Sequence, residues 1–422
     1  VLIVFSIQGL LLVAVGFPLL YLAFLTIAAA GYRKRDRFPA DSLRRFVFVV
    51  PAHDEQHSIA GTVQSLLQVD YPRELFDVFV LADNCSDGTA LVARESGAMV
   101  LERTNPVDRG KGHALEWGIA QVAQGPIAYD AFIVVDADST ISRNFLTVMN
   151  HERECGHRCI QASDIVAPGR GSWSAEMIRI SFLLFNVVRP LGRRVCGLSA
   201  GLRGNGMCLS ADVLREHPWS AYSRAEDVEF GLQLLLSGVP VAFAPEATVF
   251  AVMPQQSEHA RSQRSRWEAG RFPLIRNFAW KLLKAGVRHQ SLTLVDACVD
   301  LVTPPLVNLF VLAFLCWTMN AVAFLASAVA LFWFVSWSVI LCAALFHLLA
   351  GMVIAGADKA TFRALFSLPK YLLWKARLYR KLAGGGAEQE WIRTTREQGQ
   401  SHSDASMEGN IGVRHGDEKQ PS

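Results

Sequence analysis

Aspartate, glutamate, lysine and arginine are all missing from two long stretches of this 422-residue chain, Val1–Gly31 and Leu301–Ala357. A helix crosses the hydrocarbon core of a bilayer in about 20 apolar residues, so the first stretch suffices for one span and the second for two. So long an uncharged run argues against a buried hairpin in a soluble core. The first stretch also lacks a small-residue cleavage pattern and is too long for a secretory apolar core, so it reads as an anchor. Arg33, Lys34, Arg35 and Arg37 follow it, and Lys359, Arg363, Lys370, Lys375 and Arg377 follow the second stretch. The positive-inside rule makes both borders cytoplasmic, with a reversal of the hairpin near Ala323–Ala328. The expected order is a transmembrane helix over 1–31, a cytoplasmic domain over 32–270, interfacial helices over 271–300, a transmembrane hairpin over 301–357, a basic interfacial helix over 358–383 and a flexible tail over 384–422.

Other absences narrow the chemistry. No G-x-G-x-x-G follows a strand and no G-x-x-x-x-G-K-[ST] occurs, which removes support for a dinucleotide-dependent oxidoreductase or a P-loop NTPase. The eight cysteines have no disulfide-like spacing. Cys155-Gly156-His157-Arg158-Cys159 has no second ligand pair at zinc spacing and reads as a helix end. The formal net charge is only +3. Its basic residues gather at membrane borders, so nothing calls for nucleic acid. Phe362–Leu382 and Phe272–Val287 mix basic and aromatic residues as helices lying in a lipid interface do.

What the middle of the chain does contain is an alternation of short apolar runs and amphipathic segments. Phe46–Val50, Val78–Leu81, Ala98–Leu101 and Phe132–Val135 read as strands, with helices over Ser58–Leu67 and Thr89–Ser96 between them. This succession predicts an α/β domain with a mostly parallel sheet and right-handed crossovers. In such sheets ligands collect beyond the carboxyl ends of the strands. There stand Asp136 and Asp138, two apart and so pointing the same way from extended backbone. Their hard oxygens suit Mg2+ or Mn2+ shared with substrate phosphates. Ala52, Asp54, Glu55 and Asp83 occupy other strand ends, where carboxylates can meet base and ribose donors or simply be solvated. Lys111, between two glycines, can approach a phosphate. A helix is expected over Ser174–Val188 and a short strand over Met207–Leu209, with the loops Asp164–Ser172 and Gly197–Gly206 shaping a pocket. Glu226 and Asp227 open a further helix, where acids are favoured by the dipole. That suffices for Glu226. On a later helix Gln263, Arg266 and Trp267 share one face, offering an amide, a guanidinium and a flat ring.

The ordered set Asp83, Asp136-Ala137-Asp138, Ala225-Glu226-Asp227 and Gln263-Arg264-Ser265-Arg266-Trp267 resembles the D, DxD, [T]ED, QxxRW signature of membrane-embedded family 2 glycosyltransferases, the group of cellulose, chitin and hyaluronan synthases. The resemblance runs from about Arg45 to Trp267, with alanine at 225 where threonine is usual. It implies a GT-A fold, a nucleotide-sugar donor and inversion at the anomeric carbon. Asp83 would hold uridine, Lys111 the diphosphate, Asp136 and Asp138 the ribose and metal, Asp227 would be the base, and Gln263, Arg266 and Trp267 would hold acceptor and diphosphate. The segment containing Trp391, Arg393 and Thr394 is similar to a loop that closes over the donor in related synthases. The expected activity is transfer from UDP-N-acetylglucosamine or UDP-glucose to a saccharide or lipid-linked acceptor, in a bacterial inner membrane with the catalytic domain cytoplasmic. Three spans are few to enclose a sugar channel, so the product is short or lipid-linked, or another copy or an export partner adds helices. Single addition to a lipid, and an inactive scaffold or export subunit, are the alternatives.

Overall fold

A computed structural model of the chain describes residues 2–167, 173–251, 257–326, 331–368 and 370, the side chains of 2–5, 173–174, 257–269 and 326 excepted. It begins with α1 (Leu2–Leu11), a π-helical turn Leu12–Gly16 and α2 (Phe17–Ala30). Then come β1 (Phe46–Ala52), α3 (Ile59–Leu67), β2 (Phe76–Asp83), α4 (Thr89–Glu95), β3 (Met99–Arg103), α5 (Lys111–Ala123), β4 (Ala131–Val134), β5 (Ser139–Ile141) and α6 (Phe145–Glu154). The second half continues with β6 (Cys159–Val166), α7 (Trp173–Phe182), a π-helical turn Leu183–Val188, α8 (Arg189–Val195), β7 (Met207–Ser210), α9 (Ala211–Glu216), α10 (Glu226–Leu236) and β8 (Val241–Ala251). The last described elements are α11 (Ser257–Arg288), α12 (Leu292–Val302), α13 (Leu306–Ala326), α14 (Leu331–Ile354) and α15 (Lys359–Ala364).

Successive residues of β1 leave on opposite faces of the sheet, and both faces are covered. Phe46, Phe48 and Val50 pack with Ile59, Val63 and Leu66 of α3. Val47 and Val49 pack with Leu115 and Ile119 of α5 and with Phe230 of α10. A strand buried twice needs apolar residues throughout, which is why no polar alternation is seen in it. Among the described residues the sheet has eight strands, in the order β3-β2-β1-β4-β7-β6-β8-β5. β1 runs parallel to β2 and β4, and β2 to β3. β7 is antiparallel to both β4 and β6, while β8 runs parallel to β6 and carries β5 on its edge.

Three expectations need correction. Asp164, expected in a loop, lies within β6. The helix expected over Ser174–Val188 is α7 followed by the π-helical turn, and the helical path continues into α8. Cys155 does cap a helix, with Gly156 at φ +88° behind it, but Cys159 opens β6 rather than ending anything. Phe362–Leu382 falls largely outside the described residues, as do Trp391, Arg393 and Thr394; what is described there is α15 and a 3-10 turn Leu365–Ser367.

Among the described residues, three helices are long and apolar enough to cross a membrane: Ser6–Ala30, Leu306–Leu325 and Leu331–Ile354. They meet the sheet domain through α8 and α12. A Cβ on Gly192 of α8 would lie 2.2 Å from the Leu25 carbonyl oxygen, so only glycine lets α8 and α2 approach this closely. Beside it, Asp300 of α12 lies 3.2 Å from Arg193, 3.5 Å from Arg189 and 3.8 Å from Arg203. Asp296 pairs with Arg193 at 2.8 Å and accepts from the Tyr21 hydroxyl at 2.7 Å. Burial raises the Asp300 carboxyl, but Arg193, Arg203 and Arg189 outweigh it and hold the group below the usual carboxylate range. Removing one partner of a buried ion pair strands the other charge and costs about 3–5 kcal/mol. Asp300→Ala is therefore expected to lower the thermal unfolding midpoint in detergent markedly; an unchanged midpoint contradicts this account of the junction.

Candidate active site

The loops after β1, β2 and β4 open on one side of the sheet, as the parallel register requires. Ala52 ends β1, 3% exposed, and its carbonyl accepts from the Cys85 thiol at 3.5 Å. Asp54 and Asn84 both take left-handed backbone, at φ 54° and 51°. Each is anchored there by its own side chain: Asp54 Oδ1 accepts from Ser86 N at 2.6 Å, and Asn84 Oδ1 from Asn105 N at 2.8 Å. Glu55 is engaged at the start of α3, accepting from the Ser58 hydroxyl at 2.6 Å while its N–H donates to Thr89 Oγ1 at 2.8 Å. Asp83 is 4% exposed, and its Oδ1 accepts from Arg103 Nη1 at 2.6 Å. Sequence reasoning placed Asp83 at the strand end but not the guanidinium that holds it.

Beyond β4 the chain builds a second, denser set. Asp136 N donates to Asn205 Oδ1 at 3.1 Å; Asn205 Nδ2 donates to Ser139 Oγ at 2.9 Å, which donates to Asp138 Oδ1 at 3.2 Å. Asn205 thus braces both ends of the Asp136–Asp138 segment. Gln161 fixes the loop from below, donating to Asn205 O at 2.7 Å and accepting from Arg203 N at 2.8 Å. Lys111, at the start of α5, lies 2.6 Å from Asp136 Oδ1, donates to Gly204 O at 2.9 Å and stands 3.9 Å from Glu226 Oε1. Gly204 has φ +83°, and a Cβ there would be 2.9 Å from Asp227 Oδ2, so the position needs glycine for both backbone and space. Lys111, paired with Asp136 and near Glu226, therefore meets Asp227 at one glycine, although more than ninety residues separate Lys111 and Asp136 from Asp227.

The electrostatics follow from that crowding. Burial would lower the Lys111 ammonium, but Asp136 and Glu226 outweigh it and hold the group above its ordinary value. Burial pushes Glu226 up to about 7, against the pull of Lys111, and burial likewise raises Asp227. Asp164 is raised well above the carboxylate range, by burial first and then by Asp136. Asp136 keeps a side chain 39% exposed, so it can turn oxygen ligands outward. Hard, partly open carboxylates on Asp136 and Asp138 fit a divalent ion such as Mg2+ or Mn2+. Asp54, Cys85 and Asp87 also bring ligand atoms within 4.8 Å of one another, yet Ser86 and Thr89 already bond the two carboxylates.

Gln263, Arg266 and Trp267 all lie on α11, within the part whose side chains are not described. Helical spacing puts them on the face of Gly270. A Cβ on Gly270 would sit 3.4 Å from Arg224 and 3.5 Å from Ala225, so α11 passes against the turn that carries Glu226 and Asp227. Sequence reasoning missed Glu226, Asn205 and Gln161 as parts of this arrangement. An asparagine between two glycines, Gly204-Asn205-Gly206, was the available signal for the loop; nothing local marks Gln161.

Residues 44–270 match the family model described as "Glycosyltransferase like family 2". "Probable glycosyltransferase YdaM" of Bacillus subtilis is 24% identical over 252 residues, 56% of this chain and 57% of that protein. "4,4'-diaponeurosporenoate glycosyltransferase" of Staphylococcus aureus is 31% identical over 126 residues, 28% of this chain and 32% of that protein. The chain thus spans about half or less of the length of these relatives. Among solved structures, a mannosyltransferase from Pyrobaculum calidifontis in complex with GDP-mannose and Mn2+ matches with a TM-score of 0.50 and 16% identity, covering 84% of this chain and 99% of that one. That likeness is one of fold, and the fold is GT-A. With the family match covering more than half of its length and lying over the sheet and its site, the chain belongs to the family 2-like glycosyltransferases.

Proposed function

We propose that this glycosyltransferase is inverting and metal-dependent, and that it moves a hexose from a UDP-sugar onto a growing saccharide in β-linkage at the cytoplasmic face of a bacterial membrane. The observation that carries the reading is the meeting of Lys111, paired with Asp136, and Asp227 at Gly204. In this reading the loops around Ala52, Glu55 and Asp83 hold the nucleotide. Lys111 meets the departing diphosphate with its ammonium. Asp136 and Asp138 would hold Mg2+ or Mn2+, which when bound supplies positive charge to the leaving group. Asp227 accepts the proton of the acceptor hydroxyl as that oxygen bonds to the anomeric carbon. The bond from that carbon to the diphosphate oxygen breaks, and the electron pair leaves with UDP. Gln263, Arg266 and Trp267 position acceptor and diphosphate from α11.

Single addition to a lipid acceptor is the second reading. It is favoured by the three candidate spans among the described residues, few for a sugar channel, and by the Staphylococcus aureus relative, whose name specifies 4,4'-diaponeurosporenoate. Purified protein is to be incubated with labelled UDP-glucose or UDP-N-acetylglucosamine, Mg2+ or Mn2+, and bacterial lipid extract, and the product sized. A polymer or oligosaccharide is expected; a lipid-linked monosaccharide transfers the assignment to the second reading, and no product with any donor contradicts both.

A further inference from the structure

The second half of α11 is apolar on two opposite sides, and only one of them is covered. Leu274, Phe278 and Leu282, four apart, are buried against Leu294, Ala297 and Leu301 of α12 and Leu232 of α10. Phe272, Trp280 and Val287 project from the other side, 73%, 70% and 68% exposed, and Arg276 stands exposed between the two aromatic residues. Helical spacing puts these four on one stripe turned away from that core. The α11–α12 connection adds Leu292, which is also exposed. Large apolar side chains gathered on one exposed stripe mark an interaction surface.

Two observations say what covers it. The first is depth. Asp296 of α12 accepts from the Tyr21 hydroxyl at 2.7 Å, and Tyr21 stands about 13 Å inside the end of the candidate span at Ala30. Gly192 of α8 packs on Leu25 of the same span. α12, and α11 packed on it, therefore lie at the level where the span passes from hydrocarbon into headgroups. α12 also leads through Thr303, Pro304 and Pro305 directly into the second candidate span, which begins at Leu306. The second observation is charge. From Arg271 to Val295 the chain carries five lysines and arginines and no aspartate or glutamate. Arg271 is engaged by the carbonyl oxygens of Asp300, Leu301 and Thr303. Arg276, Lys281, Lys284 and Arg288 are exposed on the stripe or beside it. Rings and aliphatic side chains flanked by such cations fit the acyl–headgroup boundary of an anionic bilayer, with the charges at the lipid phosphates. A second copy of this chain would instead bring the same positive charges face to face.

We propose that the outer face of α11, Phe272 to Arg288, is a docking surface for anionic phospholipid, and that occupation of it speeds transfer. α11 passes Ala225 at Gly270, so lipid that fixes the helix also steadies its approach to the turn carrying Glu226 and Asp227. The effect on transfer rests on the reading of the site given above; the lipid contact does not. The test places the full chain in nanodiscs of phosphatidylcholine alone or mixed with phosphatidylglycerol. Brominated acyl chains are expected to quench a component of the tryptophan emission in the wild type that is missing in Trp280→Phe. Transfer from the preferred UDP-sugar is expected to run at least about threefold faster with phosphatidylglycerol; the triple variant Lys281→Gln, Lys284→Gln, Arg288→Gln loses that gain and keeps the phosphatidylcholine rate within about twofold. Equal wild-type rates in the two lipids, or an equal gain in the triple variant, overturn the proposal. So does Trp280 emission that brominated lipid leaves unquenched, which in discs holding two chains assigns the face to a second copy. Absence of transfer in every disc overturns the glycosyltransferase reading instead, and the quenching difference still decides the lipid contact.

Discussion

Asp227→Asn is expected to slow transfer by about 10²–10⁴-fold, the range a positioned general base contributes, with UDP affinity retained. The carboxamide keeps the size of the group beside Gly204, where Asp227 Oδ2 stands 2.9 Å from a would-be Cβ, but it cannot take a proton. Turnover near wild type in this variant removes Asp227 from the base role. The pH profile gives an independent reading. Burial raises both Asp227 and its neighbour Glu226, so the acid limb of kcat/KM is expected above the ordinary carboxylate range. The sign for stability is the reverse. Glu226 holds a proton in the folded chain up to about 7 that the unfolded chain releases near 4.5. Its contribution is therefore present below 4.5 and lost as pH rises through about 7.

Asp138→Asn is expected to lose several kcal/mol of transition-state stabilisation, roughly 10²–10³-fold in rate, together with most Mn2+ binding measured by electron paramagnetic resonance. Asp138 meets the Ser139–Asn205 hydrogen bonds at its Oδ1, and the amide oxygen can still accept there, so the thermal midpoint should hold. Unaltered Mn2+ binding with undiminished activity contradicts a metal role for this carboxylate. Chelation of the wild type should reproduce the defect of the variant, and added Mn2+ should restore only the wild type.

The half of the domain built from βα units was legible because its signals are local. Phe46–Val50 is apolar throughout since both of its faces are covered, and the acids that end β2 and β4 stand out against such runs. The other half was not. β6 contains Gln161 and Asp164, buried polar residues whose hydrogen-bond partners Asn205, Arg203 and Asn186 come from distant segments. No window of the sequence reports those partners, so a buried strand looked like a loop. Glu226 was passed over for a related reason: acids at a helix start have an ordinary explanation in the dipole, and only the fold brings Lys111 within 3.9 Å of it. The long apolar helices were readable from charge alone, whereas the Asp300 junction that ties them to the sheet domain depends on side chains from α8, α12 and the loop at Arg203.

The most direct measurement is the anomeric configuration of the new linkage. Purified protein with Mn2+, an α-linked UDP-sugar and the acceptor that supports turnover is followed by proton nuclear magnetic resonance. The account predicts release of UDP in step with a β-anomeric signal in the product, absent with Asp227→Asn. An α-linked product, or an undiminished β signal with Asp227→Asn, contradicts it.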